Sequence, residues 1–126
     1  YLARRGAPRS PEQASEHPWV VFQHIRNVKL ENGAHRSPVT CKGPIMCDDL
    51  TFVRQAVRAG SGLGLIPSFL AEEMVRAGEL VRVLSPWEMR TPLWLVVTEA
   101  KNTPKKVTAF RDFVIDALES RDVARS

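Results

Sequence analysis

The sequence predicts an α/β fold, an open sheet with helices packed on its faces. Segments with helical spacing alternate with short apolar runs through most of the 126 residues. Glycine and proline separate these segments, as is usual at the ends of helices and strands. A hydrophobic content of 44% is enough to bury the core of one compact domain. The alternation of helix and strand therefore defines the expected fold class.

The first elements are a short helix and a buried strand. Ser10 has the position of an N-cap and Pro11 that of the first helical residue. This helix should end before His17, because a residue that precedes proline avoids the α region. Residues 19–22 are four consecutive apolar strand formers, WVVF. A continuous apolar run of this kind predicts a central strand that is buried on both faces.

A hairpin and another strand should follow. Residues 28–31 alternate in polarity, and Asn32-Gly33 is a strong turn dipeptide. The partner arm is expected to begin near His35 or Ser37 and to run towards Thr40. Residues 45–47 predict a further short strand.

The next helix should begin at an acidic pair and end at a glycine. Either Asp48 or Asp49 can cap it, and Gly60 supplies the left-handed residue that closes it. Four apolar residues recur at helical spacing and should face the core: Leu50, Val53, Ala56 and Val57.

The rest of the chain predicts three strands and two helices. Residues 63–66 form a strand, Ser68 caps a helix that ends at Gly78, and residues 80–84 and 93–97 form two more strands. The last helix starts with Thr103 as cap and Pro104 in the first turn. Its apolar stripe comprises Val107, Phe110, Val114, Ala117 and Leu118.

Charge and length exclude some classes of function. The net charge is +4, but basic residues are scattered and adjacent only at Arg4-Arg5 and Lys105-Lys106. No aromatic residues alternate with them, so this chain should not bind nucleic acid directly. No apolar segment is as long as a membrane span, and residues 1–15 lack the apolar core of a signal peptide. We therefore expect a cytoplasmic protein that does not contact a membrane.

The chemically reactive residues do not form a catalytic or metal-binding motif. The three histidines have no metal-site spacing, and nucleophile-elbow and Walker A sequences are absent. Cys41 and Cys47 are six residues apart, which fits reduced thiols better than a metal site or a disulfide. A Cys47–His24 pair is conceivable, but nothing in the sequence places an orienting group beside it. We predict no enzyme activity, metal or cofactor.

Two further patterns have simpler structural explanations. Asp48 and Asp49 could serve metal or acid–base chemistry, but capping and the helix dipole explain both. The glycines of residues 60–67 follow a helix and open a strand. A phosphate-binding loop has the opposite order, so these glycines indicate a tight turn.

Taken together, four segments resemble the effector-binding domain of LysR-type transcriptional regulators. They are YLARRGAPRSPEQ, HPWVVFQ, CDDLTFVRQAVRAGSGLGLIPSFLAEEMVRAGELVRVL and TPLWLVVTEAKNTPKKVTAFRDFVIDAL. The resemblance implies a fold like that of type-2 periplasmic binding proteins, in which two subdomains enclose a ligand cleft. Residues 1–87 would form the second regulatory subdomain, and residues 88–126 the return strand and helix of the first. The remainder of the first subdomain and a winged helix-turn-helix domain normally precede such a chain, so the fold is expected to be truncated on its N-terminal side.

The resemblance also implies a ligand site. The corresponding positions are Phe22, Gln23, His24 and Ile25, together with Cys47, Asp48 and Asp49. This placement is physically reasonable, because strand ends and helix N-termini expose unpaired N–H groups. A thiol with acids beside it would disfavour a strongly anionic ligand there. Gln23 and His24 could equally be solvated loop side chains with no role in binding.

The function implied is sensing of a small-molecule effector by a transcriptional regulator without catalysis of its own. DNA would be contacted only through the preceding domain, and a homo-oligomer is expected. Two alternatives remain: a solute-binding protein that serves a transporter, and a small α/β enzyme that uses Cys47 or Asp48. The upstream coding sequence would separate the first two, since it would encode either a DNA-binding domain or a secretion signal.

Overall fold

The computed structural model describes residues 1–91, 96 and 104–125, the last five of these without their side chains. The chain forms two compact units, residues 1–90 and residues 91–126. The first unit contains nine of the ten helices and strands assigned in the described residues, and the second contains the last helix. The α/β class expected from the sequence is confirmed.

A three-stranded parallel sheet is the centre of the first unit. Strand β1 (Pro18–Phe22) lies between β4 (Lys42–Cys47) and β5 (Leu63–Gly64). Residues Trp19, Val20 and Val21 of β1 are 5%, 2% and 4% exposed, so the predicted central strand is confirmed. The strand is buried on both faces, which explains why its apolar residues do not alternate with polar ones.

One face of this sheet is covered by α3 (Leu50–Arg58), which contacts all three strands. Val53 of this helix is completely buried. A Cβ built at Gly64 would lie 2.6 Å from Cγ2 of Val57 and 3.3 Å from Cγ1 of Val53. The absence of a side chain at Gly64 therefore lets the helix approach the sheet closely.

The other face packs against α2 (Pro11–Ser15) and an antiparallel hairpin of β2 (Asn27–Asn32) and β3 (His35–Thr40). The indole Nε1 of Trp19 donates to the backbone oxygen of Ala14 at 2.8 Å, which satisfies the polar group of a buried side chain. The core cluster on this side consists of Ala14, Trp19, Val21, Val28, Leu30, Val39, Cys41 and Leu63. Antiparallel and parallel strands are thus separated into two sheets.

Local sequence signals are confirmed at the first helix and at the hairpin. A single turn, α1 (Leu2–Arg5), precedes α2. The Ser10 hydroxyl accepts a hydrogen bond from the Gln13 N–H at 3.3 Å, and Pro11 is the first residue of α2. The hairpin turns at Gly33, whose φ of 59° is in the left-handed region. Asn32 pairs with His35 across this turn, so the predicted hairpin is confirmed, but its two-residue loop is Gly33-Ala34, one residue later than the Asn32-Gly33 dipeptide.

The segment of β5 and the helix after it differs from the prediction in two details. The parallel pairing of β5 covers residues 63 and 64 only. Helix α4 (Ser68–Arg76) begins at Ser68 itself, with Pro67 in the N-cap position, so the prediction of Ser68 as cap was wrong by one residue. Proline has the extended conformation that an N-cap requires, and its missing N–H is not needed there.

The strand predicted for residues 80–84 is not formed. Leu80 is buried, whereas Val81 is 66% exposed and Leu84 has a left-handed φ of 60°. A left-handed residue ends a pleated strand, and residues 80–84 pair with no other strand in the described part of the chain. The strand predicted for residues 93–97 and the cap predicted at Thr103 lie outside the described residues, except for Val96.

The second unit contains α5 (Lys105–Arg125), which follows Pro104 directly. The N–H of Val107 donates to the oxygen of Pro104 at 3.0 Å, so Pro104 lies at the helix start as predicted. Large apolar side chains of α5 are exposed, including Phe110 at 65% and Phe113 at 70%.

Candidate functional site

The two sequence segments of the predicted ligand site meet at one edge of the parallel sheet. Strands β1 and β4 end side by side, with Phe22 opposite Cys47. Beyond this pair, the N–H of Gln23 donates to the oxygen of Cys47 at 2.6 Å. Residues 22–25 and 47–49 are therefore neighbours at the carboxyl ends of parallel strands, the usual location of ligand sites in open α/β sheets.

A tight turn after β1 brings three side chains to the surface. Gln23 has a φ of 53°, a left-handed conformation that is uncommon for a residue other than glycine. The N–H of Ile25 then donates to the oxygen of Phe22 at 3.2 Å and closes the turn. Gln23, His24 and Ile25 are all exposed. Non-glycine residues in this conformation cost about 1–3 kcal/mol and cluster at functional sites.

The structure assigns different roles to the two acidic residues. Asp49 is the N-cap of α3, and its Oδ1 accepts hydrogen bonds from the N–H groups of Thr51 at 2.7 Å and Phe52 at 3.3 Å. Asp48 is exposed and forms no ion pair with any residue that the structure describes. Asp49 is therefore structural, whereas the carboxylate of Asp48 is available to a ligand.

An open hollow of about 470 Å³ lies beside Asp48. This volume is within the range of small-molecule sites. Its polar lining consists of Cys47, Asp48 and Asp49, and its apolar lining of Pro44, Ile45, Met46 and Phe52. Phe22, Gln23, His24 and Ile25 are not among its lining residues. The structure thus brings both segments together through the backbone, but only the second segment lines the hollow.

Sequence analysis missed the apolar wall of this hollow. Met46 and Phe52 are large side chains that are 43% and 52% exposed. The sequence contains a signal for each of these residues. Phe52 does not fall on the core-facing side of α3, and Met46 alternates in strand direction with Ile45 and Cys47. An aromatic residue on the polar side of an amphipathic helix is worth examining as a contact residue.

The two thiols have different environments. Burial raises the pKa of the Cys41 thiol from 9.0 to about 11, which makes Cys41 an unreactive core residue. Cys47 is partly exposed, and its Sγ donates to the backbone oxygen of Asp49 at 3.7 Å. No hydrogen bond joins Cys47 to His24 in the described part of the chain. Among these residues there is also no cluster of three or more His, Cys, Asp or Glu side chains that could hold a metal ion.

Comparison with known proteins shows the family. The family model for the LysR substrate binding domain matches residues 1–119. This match covers nearly the whole chain, and the chain belongs to that family. The family resemblance inferred from the sequence motifs is confirmed.

Similar proteins include transcriptional regulators. The chain is 30% identical over 95 residues to the iron-regulated virulence regulatory protein IrgB of Vibrio cholerae, a match covering 70% of this chain and 32% of IrgB. It is 28% identical over 114 residues to the HTH-type transcriptional regulator PtxR of Pseudomonas aeruginosa, covering 87% of this chain and 36% of PtxR. The chain thus spans about a third of the length of the curated relatives that it matches.

Solved structures support the same fold. The regulatory domain of AphB from Vibrio vulnificus is 25% identical, with a TM-score of 0.70 over 93% of this chain and 60% of that one. These structural neighbours support a fold of the periplasmic-binding-protein type. In the parts of the chain that the structure describes, no helix has both the length and the apolarity that a membrane span requires.

Proposed function

We propose that this chain is the effector-sensing part of a LysR-type transcriptional regulator. The main support is the family match over residues 1–119, together with relatives that are HTH-type regulators. Binding of a small molecule at the edge of the parallel sheet would change the arrangement of the two subdomains. In this proposal residues 1–87 belong to the second regulatory subdomain and residues 88–126 to the first.

The proposed effector site comprises Phe22, Gln23, His24 and Ile25 at the end of β1, and Cys47, Asp48 and Asp49 between β4 and α3. Its support is the hydrogen bond from the Gln23 N–H to the Cys47 oxygen, which joins the two strand ends. Gln23 is left-handed, and its side chain and that of His24 are exposed to solvent. Such exposed polar groups on a rigid sheet edge can recognise a ligand without moving the core.

For the whole protein, we propose DNA binding through a winged helix-turn-helix domain, assembly into homo-oligomers and a cytoplasmic location. The DNA-binding part is inferred from the regulators that the chain resembles, of which the matched segment covers about a third. The neighbouring coding sequence tests this inference. A secretion signal in place of a DNA-binding domain would favour the alternative of a solute-binding protein.

A thermal-shift screen of small carboxylates and aromatic compounds tests the proposed site. A ligand at about 100 times its Kd should stabilise the folded chain by about 2.7 kcal/mol. We expect H24A and Q23A to weaken binding of any compound found in this way. H35A is a matched control, since His35 is an exposed histidine on β3, remote in sequence from both strand ends. Equal losses in H24A and H35A would contradict the proposed location.

A further inference from the structure

The proposed effector site has an unusual electrostatic character for a ligand site at a helix start. The first N–H groups of a helix ordinarily favour an anion. Here the carboxylate of Asp49 already accepts the N–H groups of Thr51 and Phe52. The N–H of Val53 is bonded within the helix to the oxygen of Asp49 at 3.0 Å. The N–H groups of Thr51, Phe52 and Val53 therefore already have acceptors within the chain and are not free for a ligand carboxylate.

The charged residues around the hollow are acidic. Asp48 and Asp49 are the two charged residues that line it, and no lysine or arginine is among its described lining residues. The neighbouring turn holds His24, and Arg26 follows that turn. The backbone oxygen of Arg26 accepts a hydrogen bond from the N–H of Cys41 at 2.6 Å. This bond holds the backbone of Arg26 near the start of β4, whereas Asp48 follows the other end of that strand.

The remaining lining is apolar. Met46 and Phe52 line the same hollow as Asp48, and each is about half exposed. An aromatic ring and a thioether next to a carboxylate are well suited to an organic cation, because the ring face and the carboxylate both attract positive charge. Charge complementarity thus favours one chemical class of ligand.

We propose that the effector carries an ammonium or similar cationic group on an apolar body, with the charge at Asp48 and the body against Met46 and Phe52. This inference rests on the proposed effector site, and it names the ligand class of that site. Carboxylate ligands would be repelled by Asp48 and would find the N–H groups of Thr51 and Phe52 already bonded to Asp49.

Three probes of similar shape distinguish the contribution of charge to binding from that of apolar contact. They are 2-phenylethylammonium, 2-phenylethanol and 3-phenylpropanoate. Each is titrated into the ¹⁵N-labelled chain, and amide shifts are followed at residues 47–52. We expect the ammonium probe to bind with the lowest Kd, by roughly threefold over the alcohol, which is the scale of one partly exposed ion pair. D48N should remove this preference, while F52A should weaken both the ammonium and the alcohol.

E73Q is the matched control, because Glu73 is an exposed carboxylate on α4 that does not line the hollow. It should leave all three Kd values unchanged, and thermal unfolding of each variant shows whether it is folded. Tighter binding of 3-phenylpropanoate than of the ammonium probe would overturn the ligand class and leave the effector site itself supported. An unchanged preference in folded D48N, or the absence of shifts at residues 47–52 with every probe, would also overturn the inference. The proposed function is tested separately by the thermal-shift screen and the H24A variant.

Discussion

At the residue scale, the acidic pair shows how two adjacent identical side chains acquire different roles. Asp49 satisfies two backbone N–H groups at the start of α3, whereas Asp48 is exposed beside the hollow. The sequence predicted that one of them is a cap but did not distinguish them. The choice depends on where the chain leaves β4 and turns into the helix, and that position is set by the pairing of Cys47 with Phe22.

Replacing the cap should cost stability at this site. We expect D49A to lower the free energy of unfolding by about 1 kcal/mol, because two N–H groups at the helix start lose their acceptor. D49N should retain most of the stability, since its amide oxygen can still accept. D48A is the neighbouring control and should change stability by less than about 0.5 kcal/mol. Urea denaturation measures all three, and an equal loss in D48A and D49A would refute the assignment of the cap.

At the element scale, most helices and strands could be predicted because their signals are local. The cap of α2, the hairpin turn after Asn32 and the closing glycine of α3 each involve side-chain or backbone contacts within a few residues. The segment of residues 80–84 has a similar apolar pattern but forms no strand. An apolar pattern forms a strand only where a neighbouring strand can pair with it and a core can bury it. The local sequence pattern does not show whether such a neighbour is present.

The contact between α3 and the sheet provides a test at this scale. G64A should destabilise the chain by about 1–3 kcal/mol, because the added Cβ would lie 2.6 Å from Cγ2 of Val57. V57A removes the obstructing methyl group, so the double variant G64A/V57A should lose less than the sum of the two single variants. A double-mutant cycle of unfolding free energies measures this coupling. Additive losses would mean that the helix does not pack against Gly64 as described.

At the scale of the whole molecule, the core formed by the described residues lies in the first unit. All the buried apolar residues that the structure describes lie within residues 1–90. The large apolar side chains of α5 in the second unit are exposed instead. A stable unit needs its own buried core, so the two units should differ in their capacity to fold alone.

A fragment of residues 1–90 should fold independently. We expect cooperative unfolding in urea and a near-ultraviolet circular dichroism signal from Trp19, which is 5% exposed in the core. A fragment of residues 91–126 should show no cooperative transition. If the first fragment were unfolded while the whole chain folds, the core of the first unit would depend on the second, contrary to this expectation.

The sequence predicts much of the candidate site, but only through the family resemblance and one general rule. The seven site residues came from a family resemblance and from the general rule that ligands bind at strand ends. Their proximity depends on β1 and β4 being parallel neighbours, although the whole β2–β3 hairpin separates them in sequence. Met46 and Phe52 were not identified, because their exposure depends on which faces of β4 and α3 the core leaves uncovered.

The sequence by itself determined the alternation of helices and strands, the helix ends and the hairpin turn, because these depend on contacts between residues close in the chain. It also determined the family, through the ordered set of motifs. Only the tertiary structure decided the strand order β4-β1-β5, the division of roles between Asp48 and Asp49, and the apolar wall beside them. These features follow from burial of β1 between two strands that are distant in sequence, and such long-range packing is set by the whole core.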